Sequence, residues 1–231
     1  VDNQINAQKG LADKKSTDSG TKGTTDAPST PSAETSSGGI SVAAAVGVNV
    51  AGSTAQAYIP TSGHITAGGT LTISASNNSD ASAKADGSAT GSSAVGIGAA
   101  VAINVPILKN EAYIGNNAVI SAGGLVVEAL MTDVKGDKTQ TFSAEATSGA
   151  SGKEVAIAGS LAINIMDAQS TALLKSGSSV TITGSGDVRL TSENTTVATA
   201  SAKPVGEGAE AGKVGIGASV ALNIANTVTA S

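Results

Sequence analysis

The sequence predicts an all-β fold, a β-solenoid (parallel β-helix-like) repeat array. Three observations predict it. Residues 95–105 read VGIGAAVAINV, and related strings start near 40, 155 and 214, so the chain repeats every 55–60 residues. No segment keeps an i, i+3, i+4 apolar stripe beyond two turns, and Gly, Val, Ile and Thr are poor or middling helix formers. The 231 residues include 29 Gly, no Trp and 1% aromatic residues, so cores must be thin and backbones close together.

Taken in order, residues 1–39 are polar and charged, with Pro28, Pro31 and many Ser, Thr and Lys. They read as a polar insertion loop or flexible segment. Residues 40–231 form the repeat array, with units starting near 40, 95, 155 and 214. Asn49, Asn104, Asn164 and Asn223 mark one repeat position, spaced 55, 60 and 59 residues apart. After each of the first three comes a second apolar element, at Tyr58, Tyr113 and Leu173. A third element follows, aligning His64 with Val119 and Thr181. Next come strand-like alternations at Leu71, Leu125 and Val188, closed by glycine turns where insertions cost least. Each unit ends in polar, period-two segments such as those from Ala81 and Ala198, which suit half-exposed strands.

As a strand, the 95–105 string has two faces. Val95, Ile97, Ala99, Val101, Ile103 and Val105 read as an ordinary core face. Gly96, Gly98, Ala100, Ala102 and Asn104 make a small-residue face suited to close approach by another backbone layer. Two geometries stay open. Rungs of roughly 20 residues would give a narrow β-helix, which several strand–turn units per repeat slightly favour. One wide coil per repeat would instead stack the strings and make the four asparagines a ladder of side-chain amides.

The set V-G-I-G-A-x-V-A-x-N, then A-Y-I-G, then A-G-G-x-L-x-I-x-A resembles the repeats of giant secreted bacterial exoproteins. These are the β-strand-repeat proteins in the style of filamentous haemagglutinin and autotransporter adhesins. The resemblance covers residue 40 to the end. It implies an extracellular or cell-surface adhesin, filament or stalk with a β-helical shaft. The third unit departs from it, with Ala156, Ala158 and Leu173 where other units have Gly and Tyr.

Charge excludes some classes. With 13 basic against 18 acidic residues the net charge is −5, and Arg189 is the only arginine, so a nucleic-acid partner is not expected. With no Cys there are no disulfides and no thiol chemistry. The apolar run 94–108 is too short to span a bilayer, which takes about 20 residues. The chain opens at Val1 in mid-pattern and stops inside an expected strand, and so reads as an excerpt of a longer protein.

No catalytic, cofactor-binding or metal residue is assigned. His64 is the only histidine and occupies a turn in one unit alone, which reads as a surface residue and not as part of a Ser-His-Asp set. Gly96-Ile97-Gly98 lacks the third Gly and following helix of a dinucleotide fingerprint. Asn77, Asn78, Asp80 and Asp86, and separately Asp133 and Asp137, are the places where calcium could sit. Without fixed ligand spacing they read first as solvated loops. Tyr58 and Tyr113 read as core corners before they read as a sugar platform. The expected function is a non-catalytic structural shaft segment of a large extracellular adhesin or filament. The alternative is a carbohydrate- or ice-binding surface module. Expected partners are neighbouring repeats, copies of the same protein and surface polysaccharide.

Overall fold

A computed structural model describes residues 39–91 and 94–231. The polar segment 1–39, apart from Gly39, lies outside the described residues. The first repeat gives β1 (Ile40–Ile59), β2 (His64–Thr66), β3 (Thr70–Asn77) and β4 (Ala81–Thr90). The second gives β5 (Val95–Ile114), β6 (Val119–Ala122), β7 (Gly124–Met131) and β8 (Gln140–Gly152). The third gives β9 (Val155–Leu174), β10 (Ser179–Ile182), β11 (Val188–Ser192) and β12 (Thr196–Ala211), and β13 (Val214–Ala230) begins the fourth. Among the described residues there is no helix.

The strands form four sheets. Sheet A is β1-β5-β9-β13, sheet B is β10-β6-β2, sheet C is β11-β7-β3 and sheet D is β12-β8-β4. All pair in parallel. Ile40 faces Val95, Val95 faces Val155, and Val155 faces Val214. Partners therefore sit a whole repeat apart, an all-β parallel arrangement compatible with a β-solenoid. This register corrects the preference for a narrow helix: one repeat makes one wide circuit past all four sheets. The physical reason is strand length. The string at Val95 and the later Tyr113 element belong to one continuous strand of 20 residues. Pro106 does not end that strand, although the β5–β9 register skips Val105 and Pro106, where the ring supplies no N–H. The third-element alignment also needs correction. Val119 pairs with His64 and with Ser179, so Thr181 belongs opposite Ser121.

The corners recur as well. Ser62, Asn117 and Gly177 hold φ values of 57°, 55° and 76° at the turn after each long strand. Ser62 N–H donates to the Asn116 carbonyl at 2.8 Å and Asn117 N–H to the Ser176 carbonyl at 3.1 Å, so turns stack on turns.

The two faces of the long strands are reversed relative to the hydropathy expectation. Gly96, Gly98, Ala100, Ala102 and Asn104 are buried, while Val95, Ile97, Val101, Ile103 and Val105 face outward and are partly exposed. The cause is the narrow gap between sheets A and D. A Cβ at Gly98 would strike the carbonyl oxygens of Gly149 and Gly87, and one at Gly87 would strike that of Ala99. Only Gly and Ala fit there, and Ala83, Ala85, Ala100, Ala102, Ala144, Ala146 and Ala162 form the cluster. At the other end of the long strands, sheets B and C open a wider space filled by Ile114, Ile120, Leu125, Val127 and Ile73. Leu108, Phe142 and Met166 fill the middle. The cross-section is a wedge, aliphatic at one end and almost backbone to backbone at the other.

Candidate functional site

The best-built polar feature lies inside. Sheet A brings Asn49, Asn104, Asn164 and Asn223 into one row. Asn49 Nδ2 donates to Asn104 Oδ1 at 2.8 Å, Asn104 Nδ2 to Asn164 Oδ1 at 2.9 Å, and Asn164 Nδ2 to Asn223 Oδ1 at 2.9 Å. The second amide proton reaches across the gap. Asn104 donates to the Ala81 carbonyl at 3.1 Å, Asn164 to that of Phe142 at 3.4 Å, and Asn223 to that of Ala198 at 2.9 Å. Ala81, Phe142 and Ala198 are themselves in register. All four asparagines thus link neighbouring coils, and Asn104, Asn164 and Asn223 also tie sheet A to sheet D. Asn104 and Asn164 are fully buried. An amide suits this place because it offers both donors and an acceptor, whereas an ionised carboxylate offers only acceptors.

A second interior polar row was not singled out from sequence. Asn110 and Ser170 are paired in register and buried. Asn110 Nδ2 donates to the Leu130 carbonyl at 2.9 Å, and Ser170 Oγ to that of Ala129 at 3.2 Å. Strand parity could have revealed it, since Asn110 shares its face with Asn104.

The remaining candidates are dispersed. His64 begins β2, exposed. Asp80 accepts from the Thr141 N–H at 2.7 Å, Asp86 from Ser88 Oγ at 2.7 Å, Asp133 from the Gly136 N–H at 2.6 Å and Asp137 from the Thr139 N–H at 2.8 Å. Asp133 and Asp137 cap the turn between β7 and β8, Asp80 ties its coil to the next, and Asp86 bonds a side chain of its own strand. Asn77 instead bonds Ser53 Oγ, and Asn78 donates to the Thr132 and Asp137 carbonyls. Among the described residues no three His, Asp or Glu side chains cluster in a metal-binding arrangement.

Tyr58 and Tyr113 are not core corners. They lie on the outward face, stacked at 5.2 Å with planes 12° apart, because in-register rows bring equivalent side chains one strand spacing apart. Lys175 Nζ sits 3.4 Å from the other side of the Tyr113 ring. Both faces of Tyr113 are occupied, so its edge and not its face meets solvent. Outward threonines form no unbroken ladder either: Thr72 pairs with Val126, which pairs with Arg189, and Thr66 and Thr181 are separated by Ser121. Surface rows of opposite charge join coils instead, as in Lys84–Glu145 at 3.3 Å and Arg189–Glu128 at 3.3 Å.

No cluster of acids, bases or nucleophiles is assembled from the residues the sequence offered. The four repeat asparagines come together; the acidic loops at Asn78 and Asp137 touch through Asn78, but among the described residues their carboxylates do not gather into a metal-binding group. Comparison with protein-family models, with curated proteins and with solved structures returns no match for this chain.

Proposed function

We propose that this chain is a non-catalytic structural segment of a β-solenoid shaft, part of a large extracellular adhesin or filament. The observation that carries the reading is the in-register stacking of the long strands with the asparagine ladder inside it. Tension along the stacking axis loads the backbone hydrogen bonds of a 20-residue strand pair together, so no single bond bears it alone. Each coil needs a neighbour to satisfy its strand edges, which favours growth by adding coils. The likeness of the repeats to giant secreted bacterial exoproteins supports the extracellular or cell-surface setting. A carbohydrate- or ice-binding surface draws less support, because the outward sheet C row of Thr72, Val126 and Arg189 mixes a charge with Val, the sheet A rows are aliphatic, and the Tyr113 faces are covered.

The wide coil alters the dimensions such a shaft would have. One repeat adds about 4.8 Å of height, whereas a long strand runs about 66 Å across. The shaft would be broad, stiff and short for its chain length. A chain carrying a second copy of residues 95–213 tests this in small-angle scattering. The expected result is one particle with the same width and about 10 Å more height, two strand spacings. Two separate particles joined by a linker would reject it.

A further inference from the structure

We infer that the outward face of sheet A is a self-association surface that pairs with the same face of a second copy of this chain. The inference stands whether or not the array belongs to a shaft. From Val95 to Val105 the outward positions of β5 are all aliphatic, and so are the residues in line with them on β1, β9 and β13 apart from Gly159. Val46 is 72% exposed, Val220 58% and, on a central strand, Ile165 40%. Eleven residues of strand cover about 36 Å, and four strands about 19 Å, which makes a face of about 700 Å². That exceeds the few hundred Å² of apolar patch a monomer usually shows. Two such faces together would bury about 1,400 Å², the size of a standard stable interface.

The relief suits a copy of itself. Ala44, Ala99, Gly159 and Ala218 form one row across the four strands, a groove parallel to the stacking axis. Beside it Val46, Val101, Leu161 and Val220 form a ridge. A ridge from a second sheet fits that groove at the roughly 10 Å spacing of packed sheets, and a twofold axis lets each copy do the same. The rows carry no charge, so two chains of net charge −5 place no like charges opposite one another here. A lipid surface suits the face less. The chain has no Trp, its net charge is negative, and the flanking Lys109 is already bound to Glu111 at 2.9 Å. Residues 1–38 contain only Val1, Ile5 and Leu11 as large aliphatics, too few to cover six rows.

The test uses the full chain in sedimentation over about 1–100 μM, a range in which interfaces of this size associate. The expected result is a dimer whose mass halves when Val46→Lys and Val101→Glu are introduced together. These two residues are cross-strand neighbours whose opposite charges can pair, and unchanged circular dichroism with a cooperative melt shows that the fold survives. Because the chain has no cysteine, single thiols report the geometry directly. Ala99→Cys, near the middle of the face, should cross-link to its own copy through a short bismaleimide, and Ser74→Cys on sheet C should not. Four results would overturn the inference: a monomer at every concentration, oligomers that persist in the double variant, a monomer that floats with phosphatidylcholine vesicles, or a dimer formed only after residues 1–38 are removed. Should the double variant fail to fold, absence of the Ala99→Cys cross-link in an otherwise unaltered chain still overturns it.

Discussion

Asn104 occupies the position where the most interactions converge. It accepts from Asn49, donates to Asn164 and donates to the Ala81 carbonyl, all with no solvent contact. Replacing it with Ala strands a donor on one side and an acceptor on the other. An unpaired buried group costs about 1–3 kcal/mol, so Asn104→Ala should lower stability by about 3 kcal/mol in urea titration. Asn104→Asp should cost at least as much, because the added charge is buried and the donor to Asn164 is lost. Asn223→Ala should cost less, since Asn223 is exposed. Equal effects at both positions would mean that the ladder does not stabilise the array. The repeat position of these asparagines was legible from spacing alone. Their bonding was legible only conditionally, because it depended on which coil width the chain adopts.

At the scale of the element, the sidedness of the long strands was misjudged for a physical reason. Hydropathy places Val and Ile inside, but the separation of sheets A and D is set by backbone contacts at Gly87, Gly98 and Gly149. The charged residues held the better signal. Lys109 and Glu111 share the parity of Val95 through Ile107 on the same 20-residue strand, and two charges without a partner inside must face out. Reading that strand as two rungs hid the clue. The turns offer a test at the same scale. Ser62 sits at φ 57°, where L-residues are strained by about 1–2 kcal/mol. Glycine relieves that strain but gains freedom in the unfolded chain. Ser62→Gly should therefore raise stability by about 0.5 kcal/mol, and Ser62→Val should lower it by more than 1 kcal/mol, because β-branching resists positive φ. Opposite signs in paired thermal melts are the expected outcome, and a stabilising Val would show that the turn does not hold this conformation.

For the whole molecule, stability should follow the stacking order. β5 and β9 have a strand on each side, whereas β1 and β13 have one neighbour each among the described strands. Stacked arrays gain most of their stability at the interfaces between units, so the outer coils open at lower free energy than the inner ones. Neighbouring coils are a whole repeat apart in sequence, so no coil can close on local contacts alone. Amide hydrogen exchange reads this residue by residue. In a parallel pair, alternate residues direct their amides toward the neighbour and the others away. Protection should therefore be nearly uniform along β5 and β9, and should alternate with period two along β1 from Ala43 onward and along β13. The alternation distinguishes an edge strand from a merely frayed one, because fraying lowers protection at every residue. Uniform strong protection of β13 would mean that a further layer covers its edge in solution. It would also show that the array continues by docking another strand there, which the lateral pairing of sheet A faces does not predict.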